Sequence, residues 1–172
     1  YIENCTQQFD QIVLDLTDPF GPAVALYTRD FYRACQRALR PGGVLSLHIQ
    51  SPIHRPQTLV RIMASLRSVF AVVQPWLQYV PLYGTLWGMA MASDTANPAS
   101  ISPVEVDARI AQHGLRDLQL YSGNIHQALL AQPPFFQTLL AQPAAPIDDG
   151  DKLEDSSLDA LQSSRPLRLT EA

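Results

Sequence analysis

The sequence predicts an α/β fold, one half of a doubly wound sheet that is mostly parallel and has an antiparallel end. Three observations carry the prediction. Two short runs rich in Ile, Val and Leu, at 10–15 and 44–49, have the length and composition of buried strands. A helix-period segment lies between them, which makes a strand–helix–strand unit with a parallel pair and a right-handed crossover. Two later strand-like runs, 71–80 and 86–92, are joined by the short link Pro81–Thr85, so they are expected to pair antiparallel.

Each element has its own justification. The run DQIVLD at 10–15 is too short for a helix. From Thr28 the apolar residues Phe31, Ala34, Cys35, Ala38 and Leu39 recur at helical spacing. Thr28 fits an N-cap and Asp30 falls in the first turn, where a negative charge meets the positive helix end. Pro41-Gly42-Gly43 is expected to end that helix. A further helical stripe, Leu59, Ile62, Met63, Leu66 and Phe70, runs from about Thr58. Pro75 makes the following strand an edge strand or a bulged one, because proline cannot donate to the ladder. Ser102-Pro103-Val104-Glu105 is a capping box with Pro at the first helical position, and Gly114 closes the helix. The segment His126–Leu140 reads as one or two short helices broken at Pro133-Pro134.

The domain division is 1–141 folded and 142–172 a disordered tail of Pro, Ala, Asp and Ser without apolar period. Before Gln11 there is no room for the parallel strands that would complete such a sheet. The first strand is therefore expected to be a parallel edge, which these folds avoid.

Composition narrows the function. Of 172 residues, 47% are hydrophobic and 16% charged, with a formal net charge of -4. No Lys/Arg run is present, so a nucleic-acid or anionic-membrane surface is not favoured. No apolar window approaches the length of a membrane span. Cys5 and Cys35 form no CxxC and have no His or Cys companions at metal spacing. Reduced thiols in a cytoplasmic setting are expected.

The chemistry points to VLDLTDPFGPA, residues 13–23. Asp15 and Asp18 lie at the carboxyl end of the first strand, where open α/β sheets bind ligands. Asp18 precedes a proline, which holds its backbone out of the helical region. With no basic residue between them, the acids would make an anionic pocket for an amine or a divalent metal. Ordinary turn chemistry is the alternative, since Asp before Pro commonly starts a loop.

FDQIVLDLTDPFGPA, followed by LYTRDFYRACQRALRPGGVL, resembles the spermidine synthase family, the polyamine aminopropyltransferases. The family pattern D-S/T-S/T-D-P-x-G-P-A is met by Asp15, Thr17, Asp18, Pro19, Gly21, Pro22 and Ala23, with Leu16 in place of a small polar residue. VPLYGTLWGMAMAS and DARIAQHGLRDLQLYSGNIHQALLAQPPF resemble two later family segments. The likeness runs from about Phe9 to Leu140.

The resemblance implies the C-terminal, acceptor-side half of a Rossmann-like, class I methyltransferase-type domain. It implies decarboxylated S-adenosylmethionine as co-substrate, methylthioadenosine as product and a small polyamine such as putrescine as acceptor, with no permanent cofactor or metal. Asp15 would be the catalytic base and Asp18 would hold the amine. Tyr121 would stand on the pocket wall, Tyr83 in the loop over it, and Pro22 on the thioadenosine side. Trp76 and Trp87 read as core or interface aromatics, and His126 as structural. The resemblance also implies a cytoplasmic protein, homo-oligomeric at full length.

His48 stands where the family carries Gln, which puts polar contacts there in question. The family's glycine-rich donor turn does not occur before the acid motif, so these residues alone are expected to transfer no aminopropyl group. A non-catalytic remnant and another methyltransferase-fold binding protein are the competing readings.

Overall fold

The computed structural model describes residues 1–153. β1 (Phe9–Leu14), α1 (Arg29–Ala38) and β2 (Leu39–Gln50) form the strand–helix–strand unit, and β1 runs parallel to β2. α2 (Pro56–Arg67) follows. β3 (Val72–Val80) and β4 (Thr85–Ser93) then complete a four-stranded sheet in the order β1-β2-β4-β3, with both later pairings antiparallel. Within the described residues β1 is an edge, as expected, and Val13 on it is 63% exposed. β3 is the other edge. Pro75 sits there at no cost to the ladder, and its carbonyl accepts from the Gln132 side-chain amide at 3.2 Å.

Caps explain most boundaries. Thr28 Oγ1 accepts from the Phe31 amide at 3.3 Å, and Ser102 Oγ accepts from the Glu105 amide at 3.2 Å. The latter starts α3 (Pro103–Gln112), and Gly114 beyond it takes a φ of +64°. Two boundaries differ from expectation. Leu39 leaves the helix with extended backbone and begins β2, so Pro41-Gly42-Gly43 lies inside the strand. Gly42, at φ +80°, lets the chain bulge there: the partner register jumps from Leu39 to Val44 while β1 advances only from Phe9 to Gln11. α4 (Gly123–Leu130) starts before His126, because Ser122 Oγ caps it from the Ile125 amide. α5 (Pro134–Leu140) follows the Pro-Pro break as expected.

The core lies on one face of the sheet. Leu45, Leu47 and Ile49 of β2 and Ala90 and Ala92 of β4 meet Tyr32 and Cys35 of α1 and Leu59, Ile62, Met63 and Leu66 of α2. Each large side chain fully removed from water stabilises by about 1.5–3 kcal/mol. Both cysteines are free and buried, and burial pushes the Cys35 thiol up to about 12, which leaves it protonated and inert.

The expectation of a disordered segment from 142 is corrected for its first part. Ile147 is fully buried in the core, its amide donates to Ser65 Oγ at 2.7 Å, and its carbonyl accepts from the Arg29 amide at 2.9 Å. Arg29 pairs with Asp148 at 2.6 Å, and Arg61 pairs with Asp151. A lone isoleucine between a Pro/Ala stretch and Asp148 has no periodicity to betray it. The rest of that segment, 154–172, lies outside the described residues.

Candidate functional site

Alternation along the strands builds the site. Gln11, Val13 and Asp15 share a parity on β1 and the residue after it. In the parallel register Gln11 and Val13 lie beside Val44 and Ser46 of β2, and Asp15 and His48 follow at the same parity, on the face away from the α1–α2 core. Trp87 and Met89 of β4 continue that face beside His48. At its carboxyl end a cleft of about 540 Å³ is lined by Asp15, Asp18, His48, Tyr83, Thr85 and Trp87. Asp15 and Asp18, which line it, are both exposed residues.

The acid loop is pinned at consecutive residues. The Leu16 carbonyl lies 2.7 Å from His48 Nε2, and a carbonyl only accepts, so Nε2 carries a proton. The Thr17 carbonyl accepts from the Tyr27 hydroxyl at 2.8 Å. Asp18 Oδ1 accepts from Gln50 Nε2 at 3.0 Å, and the Asp18 carbonyl accepts from the Phe20 amide at 2.8 Å. Burial first, and the Asp18 charge second, push the Tyr27 hydroxyl far above the ordinary tyrosine value, so it remains a donor. Leu16 replaces a small polar residue without loss of this tether, because the contact is made by its backbone.

Aromatic rings form the opposite wall. Tyr83, 54% exposed in the turn after β3, packs against Trp87 with ring centroids 4.7 Å apart. Trp87 lies 6.1 Å from the His48 ring. Rings beside carboxylates favour a cation, since both the ring face and the acid attract positive charge. The cleft is not purely anionic, which corrects the sequence reading. His54 and Arg55 also line it, and the Arg55 guanidinium sits 4.2 Å over the Phe20 ring.

Two expected site residues do not join this cleft. Tyr121 lies further along the same sheet face, in a separate cleft of about 260 Å³ with Trp76, Met91 and His126. Its hydroxyl bonds His126 Nδ1 at 2.8 Å, and His126 Nε2 reaches the Pro98 carbonyl at 2.9 Å, so His126 is structural as expected. Pro22 is exposed at the start of the 3-10 turn Gly21–Tyr27 and does not line the acidic cleft. Tyr27, Gln50 and Trp87 belong to the site although sequence reasoning passed over them as site residues. The signal for Trp87 was its place in the GTLWG stretch and for Tyr27 its place in LYTRDFY; for Gln50 there was none.

Among the described residues no helix is long and apolar enough to cross a membrane. No group of three or more His, Cys, Asp or Glu there could hold a metal ion.

Residues 1–102 match the family described as the spermine/spermidine synthase domain. A polyamine aminopropyltransferase of Nitrosomonas europaea is 68% identical over 162 residues, which is 94% of this chain and 50% of that protein. Polyamine aminopropyltransferase 2 of Hyperthermus butylicus is 43% identical over 77% of this chain and 44% of its own length. A solved spermidine synthase in complex with the transition-state analogue AdoDATO superposes with a TM-score of 0.71 at 27% identity, covering 81% of this chain and 47% of that one. The spermidine synthase of Thermotoga maritima superposes with a TM-score of 0.70 at the same identity. The chain spans about half the length of the curated relatives it matches. The mixed sheet is that of the methyltransferase-like fold of spermidine synthases, and the chain belongs to the spermine/spermidine synthase family.

Proposed function

We propose that these residues form the acceptor-amine side of an aminopropyltransferase in polyamine biosynthesis. The observation that carries the reading is the cleft in which Asp15 and Asp18 face Tyr83 and Trp87. A diamine is mostly protonated at neutral pH, since its amines titrate like lysine, at about 10.4. Transfer needs a neutral nitrogen. Asp15 takes the proton from the attacking amine. The nitrogen lone pair then forms a bond to the propyl carbon of decarboxylated S-adenosylmethionine. The carbon–sulfur bond breaks, its electrons return to sulfur, and methylthioadenosine leaves. Asp18 holds the amine in line for the attack, where correct orientation removes much of the barrier. Tyr83 and Trp87 cover the methylene chain and face the cationic end. The protein works as a cytoplasmic homo-oligomer in this reading.

The test is titration calorimetry of the full-length protein with putrescine and with methylthioadenosine, followed by aminopropyl transfer. Both ligands are expected to bind. Asp15→Asn is expected to abolish transfer while circular dichroism stays that of the parent. Binding of neither ligand would refute the reading, and near-parental turnover by Asp15→Asn would remove Asp15 as the base.

A further inference from the structure

Gln50 is the last residue of β2, and its side chain is fully buried. It takes a φ of +79°, the left-handed region that a residue with a side chain rarely occupies. The ladder to β4 shifts register between His48 and Gln50, and Gln50 lies opposite Gly88. A Cβ on Gly88 would stand 2.8 Å from the Gln50 carbonyl oxygen. The strained turn at Gln50 is thus accommodated by the missing side chain across from it.

The strain has a directional result. It swings the Gln50 amide under the acid loop, where Nε2 donates to Asp18 Oδ1 at 3.0 Å. Oε1 is buried with no hydrogen-bond partner among the described residues. A buried amide using only part of its bonding capacity is a poor choice for folding alone. A methionine would fill a similar length without a polar atom to satisfy. Folding therefore does not account for glutamine at this position, whereas the aim of Asp18 does.

We propose that Gln50 is a positioning residue that fixes the rotamer of Asp18 and so points its free oxygen into the cleft. The role of that oxygen as an amine anchor rests on the function proposed above; the orientation itself does not. A carboxylate on an exposed loop would otherwise sample several rotamers. A charge-assisted bond from a buried, immobile donor selects one.

Two measurements on the full-length protein test this. In the unliganded protein, Asp18→Asn replaces a charged acceptor with a neutral amide, and the Gln50 side-chain amide resonance is expected to move. An unmoved resonance overturns the proposal whatever the ligand. In the second, Gln50→Met is compared with the parent for putrescine affinity, at a temperature where both are fully folded. Affinity is expected to fall about tenfold or more, with the thermal midpoint unchanged or raised. Parental affinity in Gln50→Met would overturn the proposal, even if its midpoint fell. If the parent binds no diamine, the functional reading fails, and the resonance measurement alone decides on Gln50.

Discussion

Gly88→Ala tests how tightly the sheet and the site are coupled. The added methyl would stand 2.8 Å from both the Gln50 carbonyl oxygen and Ile49 Cγ1, and 3.1 Å from Leu59 Cδ1. The oxygen belongs to backbone, so relief requires the end of β2 to move rather than a side chain to rotate. Overpacking of this kind costs about 1–3 kcal/mol. Gly88 does not take a positive φ, so alanine also restricts the unfolded chain and returns about 0.4–1 kcal/mol. The net expectation is a loss of about 1–2 kcal/mol. For a chain of this size that lowers the thermal midpoint by roughly 3–6 °C. Urea unfolding followed by tryptophan fluorescence reads the same loss as a lower midpoint with an unchanged slope. Because the displaced atoms belong to Gln50, putrescine affinity should fall together with stability. A midpoint equal to or above the parent's would refute the claim that Gly88 is required for close approach.

Two further outcomes follow from the packing. Gly123→Ala would place a methyl 2.0 Å from the Pro103 carbonyl oxygen, so α3 and α4 must separate; a loss of about 3 kcal/mol or more is expected from overpacking against backbone, and an unchanged urea midpoint would contradict it. Asp151 is held below the usual carboxylate range by the Asp148 backbone amide and then by Arg61. Its contribution is complete above the unfolded value of about 3.9 and is lost as pH falls through the lowered folded value. Limited proteolysis between Pro143 and Leu153 should therefore rise in acid below about pH 4, and an Asp151→Asn variant should show that cleavage already at neutral pH. Equal protection of variant and parent at neutral pH would discount the Arg61–Asp151 clasp.

Much of the fold was legible because its signals are local. The run at 10–15 announced β1, Thr28 and Ser102 announced helix starts through their own hydroxyls, and Pro75 announced an edge through its missing donor. The errors have equally definite causes. Pro-Gly-Gly stops helices, yet Gly42 also permits a bulge, and only the neighbouring strand decides between the two. Ile147 carries no period, so its burial against Ser65 and Arg29 depends on surfaces built by distant helices.

The sequence by itself determined the acid pair. Asp15 follows an apolar strand, and Asp18 is set before Pro19, so both must emerge at one end of β1, whatever the rest of the chain does. Only the tertiary structure decided what stands around them. His48 and Gln50 reach the loop from 32 residues further along the chain, and they do so because parallel register brings the end of β2 beside the end of β1. Trp87 enters the same cleft because β4 pairs antiparallel with β2, and Tyr121 is carried elsewhere on the same face by α4 and the chain before it. Such placements follow from strand order and pairing, which no short stretch of sequence encodes.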